Sequence, residues 1–208
     1  LKIIAKIKLT KRELKKQRDA LRHFERYLPT LQLKKQQLQM EILHLSALLG
    51  EKIRHYHAKE SSARAWSGLI VEAKELLKAA GVPSRVVTSI KNIAGVDVPV
   101  FLRVEWGVLE YDLFTTSPWL DAAVDSLREI VSLKQEIRVI EEAGAVLRQE
   151  LRITTQRVNL FEKVKIPEAQ DSIRRIKISI GDQMANAVGR CKIAKRKIEE
   201  LYAAAGAA

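Results

Sequence analysis

The feature that most constrains this chain is a pair of long apolar seams at heptad spacing, one in each half. In the first half the seam runs Leu14, Leu21, Phe24, Leu28, Leu31, Leu38, Ile42, Leu45 and Leu49, and Ile53 and Tyr56 continue it. In the second half it runs Leu120, Leu127, Ile130, Ile137, Gly144, Leu147, Leu151 and Val158. After Pro167 it resumes as Ile173, Ile176, Ile180, Ala187, Ala194, Ile198 and Leu201. Steps of three and four keep one narrow stripe of a helix turned toward a partner helix. Neither stripe is stable facing water. Pairing them within one chain costs little loop entropy, so the two halves are expected to lie antiparallel as a coiled coil.

The helix boundaries are written in capping chemistry. Thr10 with Glu13 three residues later reads as a capping box. Gly81 fits the left-handed position after a helix, and Pro83 forbids resumption. The first helix is therefore expected over Thr10 to Ala80, about 100 Å long at 1.5 Å per residue. Ser117-Pro118 supplies an N-cap and a first helical position for the second helix. Pro29 and Pro167 lie inside the helices and predict kinks, because each removes a backbone donor and crowds the preceding turn.

Between the helices the period changes from heptad to two. Val96, Val98, Val100, Leu102, Val104 and Trp106 alternate with other residues, and Ala94-Gly95 supplies a turn after a β-branched stretch from Val86 to Ile93. This predicts a short β-hairpin at the end opposite the termini. Pro99 cannot donate to a ladder, so its strand is expected to be an edge there or to bulge. A helix from Val100 to Leu113 is the alternative. The expected organisation is a helix over 1–80, a middle module over 81–116 and a second helix over 117–208, in one elongated, all-α-dominated domain.

Composition narrows the function by exclusion. The four histidines are His23, His44, His55 and His57, and the last two are spaced to point to different helix faces, so no chelating pair is expected. There is no glycine-rich phosphate loop, dinucleotide fingerprint or nucleophile elbow. The single thiol, Cys191, cannot close an internal disulfide. It stands beside Arg190 and Lys192, which favour a thiolate, but it also suits a small flank residue of the seam. No apolar run reaches the length of a membrane span. The chain thus reads as a cytosolic, non-catalytic protein with no cofactor or metal.

The formal net charge is +12, unevenly spread. Ten Lys/Arg against three acids occupy Lys2 to Arg26, and eight against three occupy Arg174 to Glu200. Between Gly95 and Glu142 there are ten acids and four bases. Basic ends fit three situations: a solvated coiled coil, termini held against an acidic protein surface, or nucleic acid. Trp66, Trp106 and Trp119 sit near the β module as either local core or partner anchors. Lys35, Thr154 and Asn159 break the seam with polar side chains, which sets register at a cost in stability.

Two segments carry a family resemblance. Arg157-Val158-Asn159-Leu160-Phe161-Glu162 followed by Ile166-Pro167 resembles the signature of the D subunits of the V-type, or archaeal-type, ATP synthases and ATPases. Asn92-Ile93-Ala94-Gly95-Val96-Asp97-Val98-Pro99 is similar to the middle motif of the same family, and Leu31, Leu33, Lys34, Lys35, Leu38 and Glu41 to its lysine-rich first helix. The style is that of a divergent bacterial, chlamydia-like branch, with Gln36-Gln37 where many relatives have Arg-Asp. The resemblance implies a central stalk that turns as a rotor shaft. Its implied partners are the catalytic (A) and regulatory (B) nucleotide-binding subunits, the small F stalk protein, and the d/C funnel protein over the membrane ring. It implies no nucleic acid, no direct membrane insertion and a place peripheral to the membrane. On that reading Lys8, Lys11, Arg12, Lys15, Arg174, Arg175, Lys192, Lys195 and Arg196 face the hexamer, and Val96, Val98, Pro99, Val100 and Trp106 face the lower stalk. The other readings are a coiled-coil adaptor and, behind it, a basic nucleic-acid binder.

Overall fold

The computed structural model describes residues 8–64, 68, 74–109, 111 and 116–205, with side chains through Glu200. Helix α1 spans Lys11–Arg64, α2 Lys74–Ala80, and strands β1 and β2 Pro83–Ile93 and Val96–Trp106. Helix α3 spans Leu120–Leu160, a π-helical turn follows over Phe161–Lys165, and α4 runs Ile166–Ala205. Long helices with a two-stranded antiparallel hairpin are the fold class the seams predict. The chain forms two compact units, one of residues 33–155 and one of residues 1–32 with 156–208.

In the 33–155 unit, three ion pairs fix α1 antiparallel to α3. Lys34 meets Glu150 at 2.9 Å, Lys52 meets Glu136 at 2.8 Å, and Lys59 meets Glu129 at 2.9 Å. Their partners descend in number as the lysines ascend. The seam lies between them: Leu38 and Leu147 are fully buried, and Ile42, Leu45 and Leu151 pack beside them. Burying a leucine contributes about 1.5–3 kcal/mol, whereas such partly exposed pairs contribute at most about 1 kcal/mol each. Packing therefore sets the strength of the pairing and charge sets its register. A second cluster of Leu77, Ala80, Leu120, Ala123 and Val124 joins α2 to the start of α3.

The described helices are α1, ending at Arg64, and α2, beginning at Lys74; the continuity expected between them falls on residues 65–73, which apart from residue 68 lie outside the described residues. Gly81 follows α2 but does not adopt a left-handed backbone. Its N–H bonds the Leu77 carbonyl at 3.0 Å. Glycine is needed there for space: an added Cβ would lie 3.1 Å from Leu127 Cδ2 and 3.3 Å from the Leu77 oxygen. The capping box at Thr10 is half formed. Thr10 Oγ1 accepts the Glu13 N–H at 3.2 Å, but the Glu13 carboxylate accepts from Gln17 at 2.9 Å and the Thr10 N–H goes to the Lys8 carbonyl.

The hairpin turns through Ala94 (φ 51°) and Gly95 (φ 78°), the two positive φ values of a type I′ turn. Asn92 holds the turn, accepting the Gly95 N–H at 3.0 Å and donating to Asp97 at 2.5 Å. Ile93 pairs with Val96, and the ladder runs back from there. In a two-residue hairpin this closing pair is hydrogen-bonded and the pattern alternates, so Pro99, opposite Ile90, falls at a non-bonded position. Its missing donor faces the outer edge and costs the ladder nothing. The ladder is irregular elsewhere, between Pro83 and Arg85 and, as a bulge, between Val87 and Thr88. Thr88 pairs with Phe101 and Val87 with Arg103, leaving Leu102 unpaired. From there the faces swap: Val104 pairs with Val86 and shares a face with Ile90 and Pro99, not with Val96 and Val98.

In the other unit, Phe24 and Phe161 rings meet at 5.3 Å, and Val158, Ala169, Ile173 and Ile176 are buried. α1 continues through Pro29 as helix, without the break that two separate helices would show.

Candidate functional site

Among the described residues no group of three His, Cys, Asp or Glu is placed to hold a metal ion. His57 contacts Glu60 at 3.4 Å, and Arg64 donates to the same carboxyl at 3.0 Å. Glu60 is held below the usual carboxylate range first by that Arg64 bond and then by His57. Tyr111 donates to Asp121, and that bond raises the phenol above its ordinary value. A shallow groove of about 270 Å³ lies over Ala58, Ser62 and Ala63 of α1 and Ser126 and Ile130 of α3, and the Lys59–Glu129 pair borders it. These are ordinary surface features of paired helices. Three other places stand out, and each holds residues that the sequence singles out.

The first is the π-turn and its proline. Val158 and Ile173, both buried, are fifteen residues apart. Two heptads from Val158 fall on Ser172, which is buried too, so the extra residue in the seam shows at the flanking positions. An unbroken repeat would bury Glu168 and Arg175, yet both are exposed, and Ala169 and Ile176 are buried one position later. The π-turn absorbs the slip. The Ile166 N–H reaches back five residues to the Phe161 carbonyl, and the wider turn relieves the crowding that Pro167 would cause in α geometry. The segment that carries the family signature is thus a register shift. Val158 is seam and Ile166 half-buried, while Arg157, Asn159, Glu162 and Pro167 are exposed. Asn159 is therefore not a polar break in the seam, whereas Thr154, 1% exposed, is one.

The second is the basic surface of the 1–32/156–208 unit. Lys8, Lys11, Arg12, Lys15, Arg174, Arg175, Lys192, Lys195 and Arg196 are all exposed. They are not one cluster. Lys192 to Arg196 begin eighteen residues beyond Arg174 on the same helix, about 27 Å at helical rise. Lys195 and Arg196 also hold Glu199 and Glu200 one turn on, at 3.7 and 3.4 Å. Every residue from Gly181 to Glu200 is exposed, including the heptad positions Ala187, Ala194 and Ile198. Cys191 lies on this exposed stretch.

The third is the hairpin arm. Val98, 2% exposed, is packed into the chain's own core with Leu38, Ala143 and Leu147, and Val96 packs against that cluster. Pro99 is half-buried and Val100 36% exposed, while Ile90 across the ladder from Pro99 is 78% exposed. The spacing of Val96, Val98 and Val100 does not show which of them the fold itself consumes. Trp106 lies under the Arg128 guanidinium, 5.5 Å from its ring centroid, and Arg128 also donates to the Gly107 carbonyl at 3.3 Å. Trp119 packs on the Leu77–Leu120 cluster. Both tryptophans are half-buried, and Trp119 alone of the two packs on a core cluster; Trp66 lies outside the described residues. No described helix is long and apolar enough to cross a membrane.

What this geometry defines is a chain of long paired helices carrying a two-stranded antiparallel hairpin. The family model for the D subunits of ATP synthases matches residues 13–196. A V-type ATP synthase D subunit of Borreliella burgdorferi is 42% identical over 195 residues, covering 94% of this chain and 96% of that protein. Proteins of the same name from Chlamydia caviae and Chlamydia abortus are 34% and 36% identical, each over 94% of this chain and 95% of the relative. The chain belongs to the family of ATP synthase D subunits.

Proposed function

We propose that this chain is the central stalk of a V-type ATP synthase or ATPase, a rotor shaft that passes torque between the A–B nucleotide-binding hexamer and the membrane ring. It carries out no bond chemistry. It favours one conformation of each catalytic interface over another by touching them unequally as it turns. The lower contacts, with the small F stalk protein and the d/C funnel protein, fall to the hairpin arm, at Pro99, Val100 and Ile90.

The observation that carries this reading is the end of α4. A helix with apolar positions at heptad spacing and twenty consecutive exposed residues is stable only when other protein surrounds it. Its small residues, Gly181, Ala185, Ala187, Gly189 and Ala194, leave a slim, basic spindle. Exposed charges act over about 8–10 Å in physiological salt, so attraction to an acidic bore holds the spindle without locking its angle. Replacing Arg174, Arg175, Lys192, Lys195 and Arg196 by glutamine is expected to weaken binding to the A–B hexamer and flatten its salt dependence. Unchanged affinity and salt dependence would show that charge does not hold the shaft.

A further inference from the structure

The hairpin lies along the helix pair of the 33–155 unit and is fastened near both ends. At its base Gly81 abuts Leu127, Trp106 lies under Arg128, and Gly107 accepts from the same guanidinium. At its tip Val98 is buried with Leu38 of α1 and with Ala143 and Leu147 of α3, and Ile93, Ala94 and Val96 pack beside it. Arg128 and Leu147 are about 28 Å apart along α3, and Trp106 and Val98 about 26 Å apart along β2, so the ribbon runs with the helix. Leu38 and Leu147 also belong to the α1–α3 seam. The tip therefore closes over the seam and touches both helices at once.

The two fastenings are unequal. The base follows directly on α2, whose Leu77 and Ala80 are buried with Leu120, Ala123 and Val124. At the tip Val98 is the one strand residue fully buried. Lys91, across the ladder from it, is 64% exposed, with its ammonium 4.0 Å from the Glu41 carboxylate. An exposed pair at that distance holds little. Between base and tip lies the bulge at Leu102, where the ladder is interrupted and a ribbon bends most easily. A two-stranded hairpin has little stability of its own, so what its tip does is set by what it packs on.

We infer that the hairpin is a strap hinged at the Leu102 bulge, whose tip half, residues 88–101, lifts from the seam while its base half stays fastened. Closed, the strap covers Leu38 and Leu147 and resists sliding of α1 along α3. Lifted, it leaves that stretch of the pair to its own seam and to the Lys34–Glu150 and Lys52–Glu136 ion pairs. Burying one valine favours the closed state by roughly ten- to a hundredfold, so a lifted minority exists at equilibrium. The strap concerns this chain's own packing and stands whether or not the chain turns as a rotor.

The test is thiol labelling of the full-length chain under native conditions, in a Cys191→Ser background. Val98→Cys and Ala123→Cys place thiols at positions 2% and 3% exposed, one under the tip and one in the cluster at the base. Val98→Cys is expected to label at least tenfold faster than Ala123→Cys. Lys91→Glu sets two carboxylates against each other at the tip, and should raise the Val98→Cys rate about two- to fivefold while leaving Ala123→Cys unchanged. Arg128→Gln loosens the base, and should leave the Val98→Cys rate within twofold because the hinge lies beyond it. Equal rates at positions 98 and 123 would mean that the tip opens only with the whole fold, and would overturn the inference. So would an Arg128→Gln acceleration matching that of Lys91→Glu, which would mean that the ribbon swings from its base.

Discussion

Removing the extra seam residue gives the sharpest test of how the signature segment works. Lys163 lies on the exposed side of the π-turn. Deleting it, with Pro167→Ala to avoid a proline ring against an α-helical carbonyl, brings Val158 and Ile173 fourteen residues apart. The helix then becomes α throughout, and Ala169, Ile173 and Ile176 stay on the seam. Stability should stay within about 1 kcal/mol of the parent, because the wider turn is exchanged for regular bonds and the proline penalty is gone. A deletion of exposed Gln149 is the control, since no slip lies beside it. It rotates Leu151 and Val158 about 100° off the seam. Losing two such burials, at about 1.5–3 kcal/mol each, costs about 4 kcal/mol. For a chain of this size that lowers Tm by roughly 10 °C. Thermal melts followed by far-ultraviolet circular dichroism compare the two deletions. If the Lys163 deletion melts as low as the Gln149 deletion, the extra residue does not set register and the argument fails.

Two further outcomes follow from the packing. Leu38→Ala should cost about 3 kcal/mol, because the side chain is fully buried among Val98, Ala143 and Leu147, and it should speed hydrogen exchange at the hairpin turn ahead of the helix ends. Ala94→Gly should stabilise by about 0.5–1 kcal/mol in denaturant melts, since φ 51° strains alanine but not glycine.

The seams were legible because helical burial repeats in the sequence itself: every α1 seam residue from Leu14 to Tyr56 is at least half-buried. The hairpin was legible from alternation and Ala94-Gly95. The bulge at Leu102 was not, because valine and leucine continue at period two across it, and only the partner strand reveals that the face has changed. The burial of Val98 has a separate cause, the approach of Leu38, Ala143 and Leu147, which the alternation does not encode. The slip near Phe161 was present as a fifteen-residue interval between Val158 and Ile173, but Pro167 drew attention to a kink rather than to phase. Gly81 suggested backbone conformation when the cause was the approach of Leu127, which no local pattern encodes.

Rotation itself is the most direct measurement of the central claim. With the nucleotide-binding hexamer fixed to a surface and a bead tethered through Ala94→Cys in a Cys191→Ser chain, ATP should drive the hairpin arm round continuously in one direction. A bead that stays still while the same complexes hydrolyse ATP would contradict the account.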